Sequence, residues 1–235
     1  MVSAPQPRSG PASVPVSYWV WLAGTTISML GTQILAFGMA WIATGRGGLA
    51  ASLVVTAIVA PRVLLLLLGG WIADRLGAWR VMIVADATMV GVTGGLALGA
   101  WVLGDRTALL LVTALAIGIV DAFYLPSSGS MPRRLVPAAS LVRAMAAGQV
   151  SRQLTVFAGP PLGGLLVAAA GLVAAALANA VSFAVMLLVL VTIRPRREPE
   201  PATPSPASGE GVWRGSIAGT PDPGHRPPGS PSVWT

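Results

Sequence analysis

The chain has 235 residues, of which 54% are hydrophobic and only 10% are charged, and its mean hydropathy is +0.74. A soluble domain carries roughly 25% charged residues, so this composition excludes a soluble enzyme and a disordered chain. All 15 basic residues are arginines, scattered singly between apolar runs, which argues against a nucleic-acid-binding surface despite the formal charge of +7. The composition indicates an integral membrane protein.

Several kinds of chemistry are excluded by residues that the sequence lacks. Without cysteine there is no disulfide, thiolate nucleophile or cysteine-ligated metal, and the single histidine, His225, cannot build a metal site alone. Without lysine there is no Walker A nucleotide site. We therefore expect no cofactor and no enzymatic activity; a membrane-embedded enzyme is the weakest alternative.

In chain order, residues 1–17 are rich in proline and serine and predict a disordered lead. Six apolar stretches follow, each long enough to cross the ~30 Å hydrocarbon core as a helix: 18–43, 51–73, 80–102, 107–129, 144–168 and 172–193. The boundary between the last two is the least marked, because alanine and valine run through it almost unbroken. We expect an all-α, polytopic fold in which residues 18–194 form one bundle of six transmembrane helices.

The third span carries a stripe of small residues. Gly91, Gly95 and Gly99 recur every four residues and so lie on one face of the helix. Such a stripe predicts that a neighbouring helix approaches closely there.

The final segment, 195–235, differs in character, because it holds ten of the 20 prolines and has no apolar periodicity. It predicts a disordered tail. A partner-binding arm is an alternative, and the composition also fits translation of an out-of-frame stretch.

Arginine placement predicts the orientation in the membrane. If the N-terminus is cytoplasmic, the outer loops hold only Arg46 and Arg106. The inner loops and flanks then hold eight arginines: Arg8, Arg75, Arg80, Arg133, Arg134, Arg194, Arg196 and Arg197. We expect a multi-pass protein of the cell membrane with both termini in the cytoplasm.

A short charged stretch from Gly70 to Arg80 joins the second and third spans. Gly77 tolerates the positive φ that a tight turn requires. Asp74, Arg75 and Arg80 stand at helix ends, where they can pair with each other or with a helix N-terminus of a neighbouring bundle. The stretch is therefore a candidate for contacts at the inner surface.

This stretch resembles the loop 2–3 signature of the major facilitator superfamily, Gly-x-x-x-Asp-Arg-x-Gly-x-Arg-Arg. Trp79 stands where a basic residue is usual, and five positions match: Gly70, Asp74, Arg75, Gly77 and Arg80. The resemblance implies that this cluster is a conformational latch on the cytoplasmic side. It also implies that Asp121, an acid near the inner end of the fourth span, pairs with Arg75.

The fifth span contains a second family motif. Gly159-Pro160-Pro161-Leu162-Gly163-Gly164 resembles the end of the superfamily's antiporter motif, in which the proline bends the helix and the glycines permit close packing. Ala146 and Thr155 replace the motif's upstream glycines. The resemblance to drug and siderophore exporters covers about residues 18–194, which corresponds to the N-terminal half of a twelve-helix family.

Four ionisable residues lie inside predicted spans, where charges are costly and point to function: Arg62, Asp86, Asp121 and Arg152. Arg62 and Arg152 lie deepest, in spans that line the central cavity of the resembled family, and we expect substrate binding or structural pairing. Asp121 is the better candidate for an acid that takes up a proton. Asp86 lies about one and a half turns from the inner surface, which favours a solvated or structural role.

Span one carries hydroxyl groups that complete the predicted substrate site. Thr25, Ser28 and Thr32 recur at steps of three and four residues and share one helix face. That face can line a cavity, or its hydroxyls can simply bond carbonyls of their own helix.

These expectations combine into a secondary active transporter that exports a small amphipathic compound, coupled to protons, across the lipid bilayer. Rocking against a second six-helix bundle requires another copy of the chain or a separate partner. The alternatives are a truncated product and a non-transporting membrane protein that binds a partner; we expect no nucleic acid.

Overall fold

A computed structural model describes residues 13–192, and within this range every regular element is helical. The helices are α1 (Val16–Thr44), α2 (Gly48–Leu76), α3 (Ala78–Leu103), α4 (Thr107–Leu135) and α5 (Leu141–Thr192), with a short 3-10 turn, Ala138–Ser140, before α5. The predicted all-α fold is confirmed for this part of the chain. The predicted tail, 195–235, and most of the predicted lead, 1–17, lie outside the described residues.

All five helices are long and apolar enough to cross a membrane. Their outer surfaces carry more large apolar side chains than a soluble protein exposes to water. Leu67 is 86% exposed, Leu64 77% and Trp101 75%. Charged side chains are found instead at helix ends and inside the bundle. The chain is a multi-pass membrane protein. Each of α1 to α4 contains one of the first four predicted spans, and α4 continues six residues past the predicted end at 129.

The fifth and sixth predicted spans form one continuous element, so the described residues contain five apolar helices where six were predicted. The 52 residues of α5 would extend about 78 Å as a straight helix, more than twice the thickness of the hydrocarbon core. Within α5, however, Gly171 has φ 77° and ψ 176°, which is not helical. Gly171 divides α5 into a first arm, 141–170, and a second arm, 172–192.

The first arm of α5 runs in the same direction as α1. The Tyr18 hydroxyl, near the start of α1, donates a hydrogen bond to the carbonyl of Ala144 at 2.5 Å. Twenty residues later, a Cβ added at Gly38 would lie 2.6 Å from Cγ2 of Val167. Residue numbers therefore rise together along both helices.

The second arm runs against the direction of α1. A Cβ added at Gly24 would lie 2.7 Å from the sulfur of Met186, and one added at Gly31 would meet the side chain of Asn179. Residue numbers fall along the second arm as they rise along α1. The chain therefore reverses its direction beside α1 at Gly171, whose positive φ glycine adopts without strain.

Helices α2 and α4 touch through their backbones. Gly118 of α4 faces the carbonyl of Ile58, and a Cβ added there would lie 2.6 Å from Cγ of Pro61. Gly69 of α2 similarly faces the carbonyl of Ala122. Because neither glycine carries a side chain, the two helices approach more closely than ordinary side-chain packing allows.

The connections between the helices are short. Gly77 alone separates α2 from α3, with φ 87°, so the predicted turn with positive φ is confirmed. The Arg46 side chain in the α1–α2 connection donates a hydrogen bond to the backbone carbonyl of Asp105 in the α3–α4 connection. These two connections therefore lie on the same side of the bundle.

The small-residue stripe of α3 does not make the helix contact predicted for it. A Cβ added at Gly91 or Gly95 would meet nothing within 4 Å in the described part of the chain, whereas one added at Gly99 would meet the side chain of Leu109 at 3.0 Å. The prediction is wrong for Gly91 and Gly95, because their helix face points away from the other described helices.

Candidate functional site

A cavity of about 130 Å³, partly open to the surroundings, lies among the helices and is walled mainly by α1, α4 and α5. Its wall consists of Ser28, Met29, Thr32, Gln33, Arg62, Met89, Val120, Asp121, Tyr124, Leu125, Arg152, Thr155, Val156 and Phe183. Four predicted substrate residues are brought together here: Ser28, Thr32, Arg62 and Arg152. The fifth, Thr25, lies in the wall of a neighbouring cavity.

Two opposite charges in the cavity wall form an ion pair. The guanidinium of Arg62 donates to a carboxylate oxygen of Asp121, and their side chains are 31% and 14% exposed. This contact corrects the predicted pairing of Asp121 with Arg75. Arg75 lies 13 positions after Arg62 on the same helix, a rise of about 20 Å, so the two arginines cannot reach the same carboxylate.

The third charge of the cavity, Arg152 on α5, is placed differently. Its side chain has no hydrogen-bond or ion-pair partner among residues 13–192. It is half-buried and lines both this cavity and the neighbouring one. Arg152 is therefore a cationic group facing two internal spaces.

The neighbouring cavity has a volume of about 140 Å³ and lies closer to the start of α1. Its wall includes Tyr18, Trp21, Thr25, Thr26, Ser128, Gln149 and Ser151. Met29, Arg152 and Thr155 belong to both walls. The two cavities are thus adjacent, and Arg152 is the charged residue of the wall that they share.

The predicted polar face of α1 points inward, since Thr25, Ser28 and Thr32 are all buried. The Thr32 hydroxyl donates to the carbonyl of Ser28 on its own helix at 3.1 Å. The Ser28 hydroxyl instead donates across to the carbonyl of Ser182 on the second arm of α5, also at 3.1 Å. The face therefore lines a cavity, as one alternative predicted, and one of its hydroxyls bonds a carbonyl of its own helix, as the other predicted.

Two buried polar groups near the cavity have no hydrogen-bond partner in the described range. Asp86 on α3 is 0% exposed, and neither of its carboxylate oxygens is bonded, so of the two predicted roles, solvated or structural, the solvated one is wrong. The Tyr124 hydroxyl, in the cavity wall, is likewise buried and unbonded. Tyr124 was not predicted; its spacing of three residues from Asp121, which places both on one face of α4, was the available signal.

The charged stretch between α2 and α3 is open to the surroundings. Asp74, Arg75 and Arg80 are exposed, and none of them forms an ion pair with another described residue. The Arg75 guanidinium lies 4.4 Å from the ring centroid of Trp71, a cation–π contact. A Cβ added at Gly70 would meet nothing within 4 Å, so the close approach in this part of α2 belongs to Gly69.

The glycine–proline motif of α5 faces α1. A Cβ added at Gly163 would lie 2.6 Å from the carbonyl oxygen of Ile34, and one at Gly164 would lie 3.3 Å from the ring of Phe37. Gly159 lies equally close to Gln33 of the cavity wall. Pro160 lies within the helix between these contacts.

Comparison with known proteins assigns the family. A family profile described as Major Facilitator Superfamily matches residues 21–232. The proteins named "Multidrug efflux pump Tap" from Mycobacterium tuberculosis (strain ATCC 25618 / H37Rv) and Mycobacterium bovis (strain BCG / Pasteur 1173P2) are 31% identical over 166 residues. The aligned region covers 67% of this chain but 39% of each relative. No solved structure gives a significant match. The chain belongs to the Major Facilitator Superfamily.

Proposed function

We propose that the chain is one helical bundle of a secondary active transporter that exports a small amphipathic compound, coupled to protons. The observation that carries this proposal is the internal cavity, whose wall combines Arg62, Asp121 and Arg152 with hydroxyl groups and apolar side chains. Ionisable groups are rare within membrane spans and usually serve a substrate or ion pathway. The family, and relatives named multidrug efflux pumps, support a transporter rather than an enzyme.

The proposed bundle crosses the cell membrane six times, with both termini in the cytoplasm. The reversal of direction beside α1 at Gly171 supports two crossings within α5. The bond between Arg46 and the Asp105 carbonyl supports a common side for the two arginine-poor connections. That side would be the outer one by the positive-inside rule. In this arrangement residues 1–17 are a lead, 18–194 the bundle and 195–235 a cytoplasmic tail.

The exposed cluster between α2 and α3 serves, in this proposal, as a latch against a second bundle. The latch comprises Gly70, Asp74, Arg75, Gly77 and Arg80, while Asp121 belongs to the cavity. Its charges have no ion-pair partners within residues 13–192, which leaves them free to contact a helix end from another bundle.

The chain spans 39% of the length of the curated relatives that it matches. Alternating access needs two bundles that rock around a shared site. A half-transporter would obtain its second bundle from another copy or from a separate chain. Cysteine crosslinking at Asp74→Cys in membranes tests whether a second bundle is needed. A crosslinked dimer supports pairing with another copy of the chain. A strictly monomeric chain with active efflux contradicts the need for a partner.

Cellular accumulation of fluorescent amphipathic compounds tests the transport proposal. Cells that produce the full chain should retain less of an anionic, a neutral or a cationic probe (fluorescein, Nile red or ethidium) than cells with an empty vector. Arg62→Ala and Arg152→Ala should restore retention, because both remove a cavity charge. Arg143→Ala, on the exposed face of α5 outside both cavities, should leave efflux unchanged.

Proton coupling has a separate readout in the same cells. A protonophore should raise probe retention to the empty-vector level at constant cellular ATP. Efflux that persists after the proton gradient collapses would contradict proton coupling. Unchanged efflux in both arginine variants would contradict the assignment of the cavity.

A further inference from the structure

The charges that face the cavity do not cancel. Arg62 and Asp121 neutralise each other through their ion pair, whereas Arg152 has no carboxylate within ion-pair distance among residues 13–192. With Asp121 ionised, the described wall therefore carries a net charge of +1. In a space lined largely by apolar groups, an uncompensated cation attracts an opposite charge strongly.

Among the hydrogen-bonding groups of the wall, most hydroxyl hydrogens already have a partner, and the unpartnered group that can only donate belongs to an arginine. The hydroxyls of Thr32 and Thr155 donate to carbonyls of their own helices, and that of Ser28 donates to a carbonyl of α5. Their donor hydrogens are therefore already used. The two buried wall atoms without partners are Nε of Arg62, which can only donate, and the hydroxyl of Tyr124.

Apart from the amide of Gln33, the rest of the wall is apolar. It includes Met29, Met89, Leu125, Val156 and Phe183, contributed by four different helices. A volume of about 130 Å³ is close to that of a cavity that holds one benzene ring. The space therefore suits one small apolar group attached to one acidic group.

We propose that the cavity selects amphipathic anions, with the guanidinium of Arg152 holding the acidic group and the apolar side chains holding the rest of the molecule. This names the substrate class of the proposed transporter and so rests on the proposed function. Because Arg152 also lines the neighbouring cavity, the acidic group keeps the same partner while the apolar group occupies either space. A sulfonate or carboxylate accepts two parallel hydrogen bonds from a guanidinium, which fixes its position.

Binding to the purified full chain tests the charge selection directly. The chain is placed in nanodiscs of zwitterionic phosphatidylcholine, and isothermal titration compares benzenesulfonate with phenyltrimethylammonium, two probes of similar size and opposite charge. Benzenesulfonate should bind at least about ten-fold more tightly. Arg152→Gln should remove this preference, while the matched control Arg143→Gln on the same helix should preserve it.

A second variant changes affinity in the opposite direction. Asp121→Asn leaves the Arg62 charge without its counter-ion, so benzenesulfonate should bind more tightly than to the unmodified chain. Circular dichroism and size-exclusion chromatography establish that each variant is folded. This gain of affinity is not expected from a variant that merely disturbs the fold.

Two results would overturn the inference. Tighter binding of phenyltrimethylammonium, lost in Asp121→Asn, would identify a cation site and leave the proposed transporter intact. Failure of both probes to bind a folded chain would remove the ligand cavity and with it both proposals. Anion binding without any efflux would contradict transport by this chain alone and leave the charge selection standing.

Discussion

Arg62 on α2 pairs with Asp121 on α4 one helical turn beyond the point where Gly118 meets the carbonyl of Ile58. The pair joins residues 59 positions apart in the sequence. The absent side chain of Gly118 lets the backbones touch, and this contact sets the distance that the two charged side chains must span. The charge arrangement of the cavity therefore depends on a glycine that carries no functional group.

Gly118→Ala should destabilise the bundle and separate α2 from α4. The added Cβ would meet the carbonyl of Ile58 and lie 2.6 Å from Cγ of Pro61, neither of which belongs to a flexible side chain. Overpacking of this kind costs about 1–3 kcal/mol in the free energy of unfolding. Reversible unfolding in mixed detergent micelles, followed by circular dichroism, measures the change.

The matched control is Gly94→Ala on α3, where an added Cβ would meet nothing within 4 Å. It should not destabilise the chain, because alanine favours a helix interior over glycine by up to about 1 kcal/mol. Equal effects at Gly94 and Gly118 would show that the loss of glycine itself, rather than the α2–α4 contact, is responsible.

A double-mutant cycle should detect the ion pair. Arg62→Leu and Asp121→Leu should each destabilise the chain by about 1–3 kcal/mol, because each leaves a partly buried charge without its partner. The double variant should cost less than the sum of the single variants, with a coupling of at least about 1 kcal/mol in the free energy of unfolding. Arg75→Leu combined with Asp121→Leu should be additive, and coupling in that second cycle would restore the pairing of Asp121 with Arg75.

Gly77→Ala should weaken the turn between α2 and α3. Gly77 has φ 87°, and an L-residue held in the left-handed region costs roughly 1–2 kcal/mol. Thermal unfolding in detergent should show a lower Tm for this variant. Gly70→Ala, which lies in open space seven residues earlier, should leave Tm nearly unchanged; an equal fall in Tm would point to a packing role for Gly70.

The sequence was sufficient to predict where the first four helices lie, because their apolar stretches are long and three of the four breaks that follow them hold a glycine with positive φ. Gly77 was predicted as a turn, and both Gly77 and Gly104, which lies between the third and fourth predicted spans, have positive φ. Gly171 lies between the fifth and sixth predicted spans, and the chain reverses its direction there within one continuous helical element.

The rotations of α2, α3 and α4 about their axes could not be predicted. A helix that is apolar on all sides gives no periodic signal for its inward face. Asp121 was accordingly assigned to Arg75 on the strength of a family resemblance, whereas the geometry of α2 and α4 presents it to Arg62. The role of Asp86 was predicted from its depth in the membrane, and its complete burial depends on neighbours that the pattern does not reveal.

One packing signal was present in the sequence but was not used. Gly24, Gly31 and Gly38 recur every seven residues on α1, and all three face side chains of α5 at short range. A close helix contact was predicted instead for the four-residue stripe of α3, although Gly91 and Gly95 have open space around them. The spacing of glycines indicates which face of a helix lacks side chains. Only the tertiary arrangement shows whether another helix packs against that face.

Cysteine labelling at the Gly171 reversal is the most direct test of six membrane crossings. The sequence contains no cysteine, so Ala139→Cys, Ala170→Cys and Thr192→Cys each introduce a single thiol at an exposed position. Six crossings with cytoplasmic termini predict that a membrane-impermeant maleimide labels Ala170→Cys in intact cells and labels Ala139→Cys and Thr192→Cys only after permeabilisation. Labelling of Ala170→Cys and Thr192→Cys from the same side would contradict the sixth crossing and leave α5 as a single crossing.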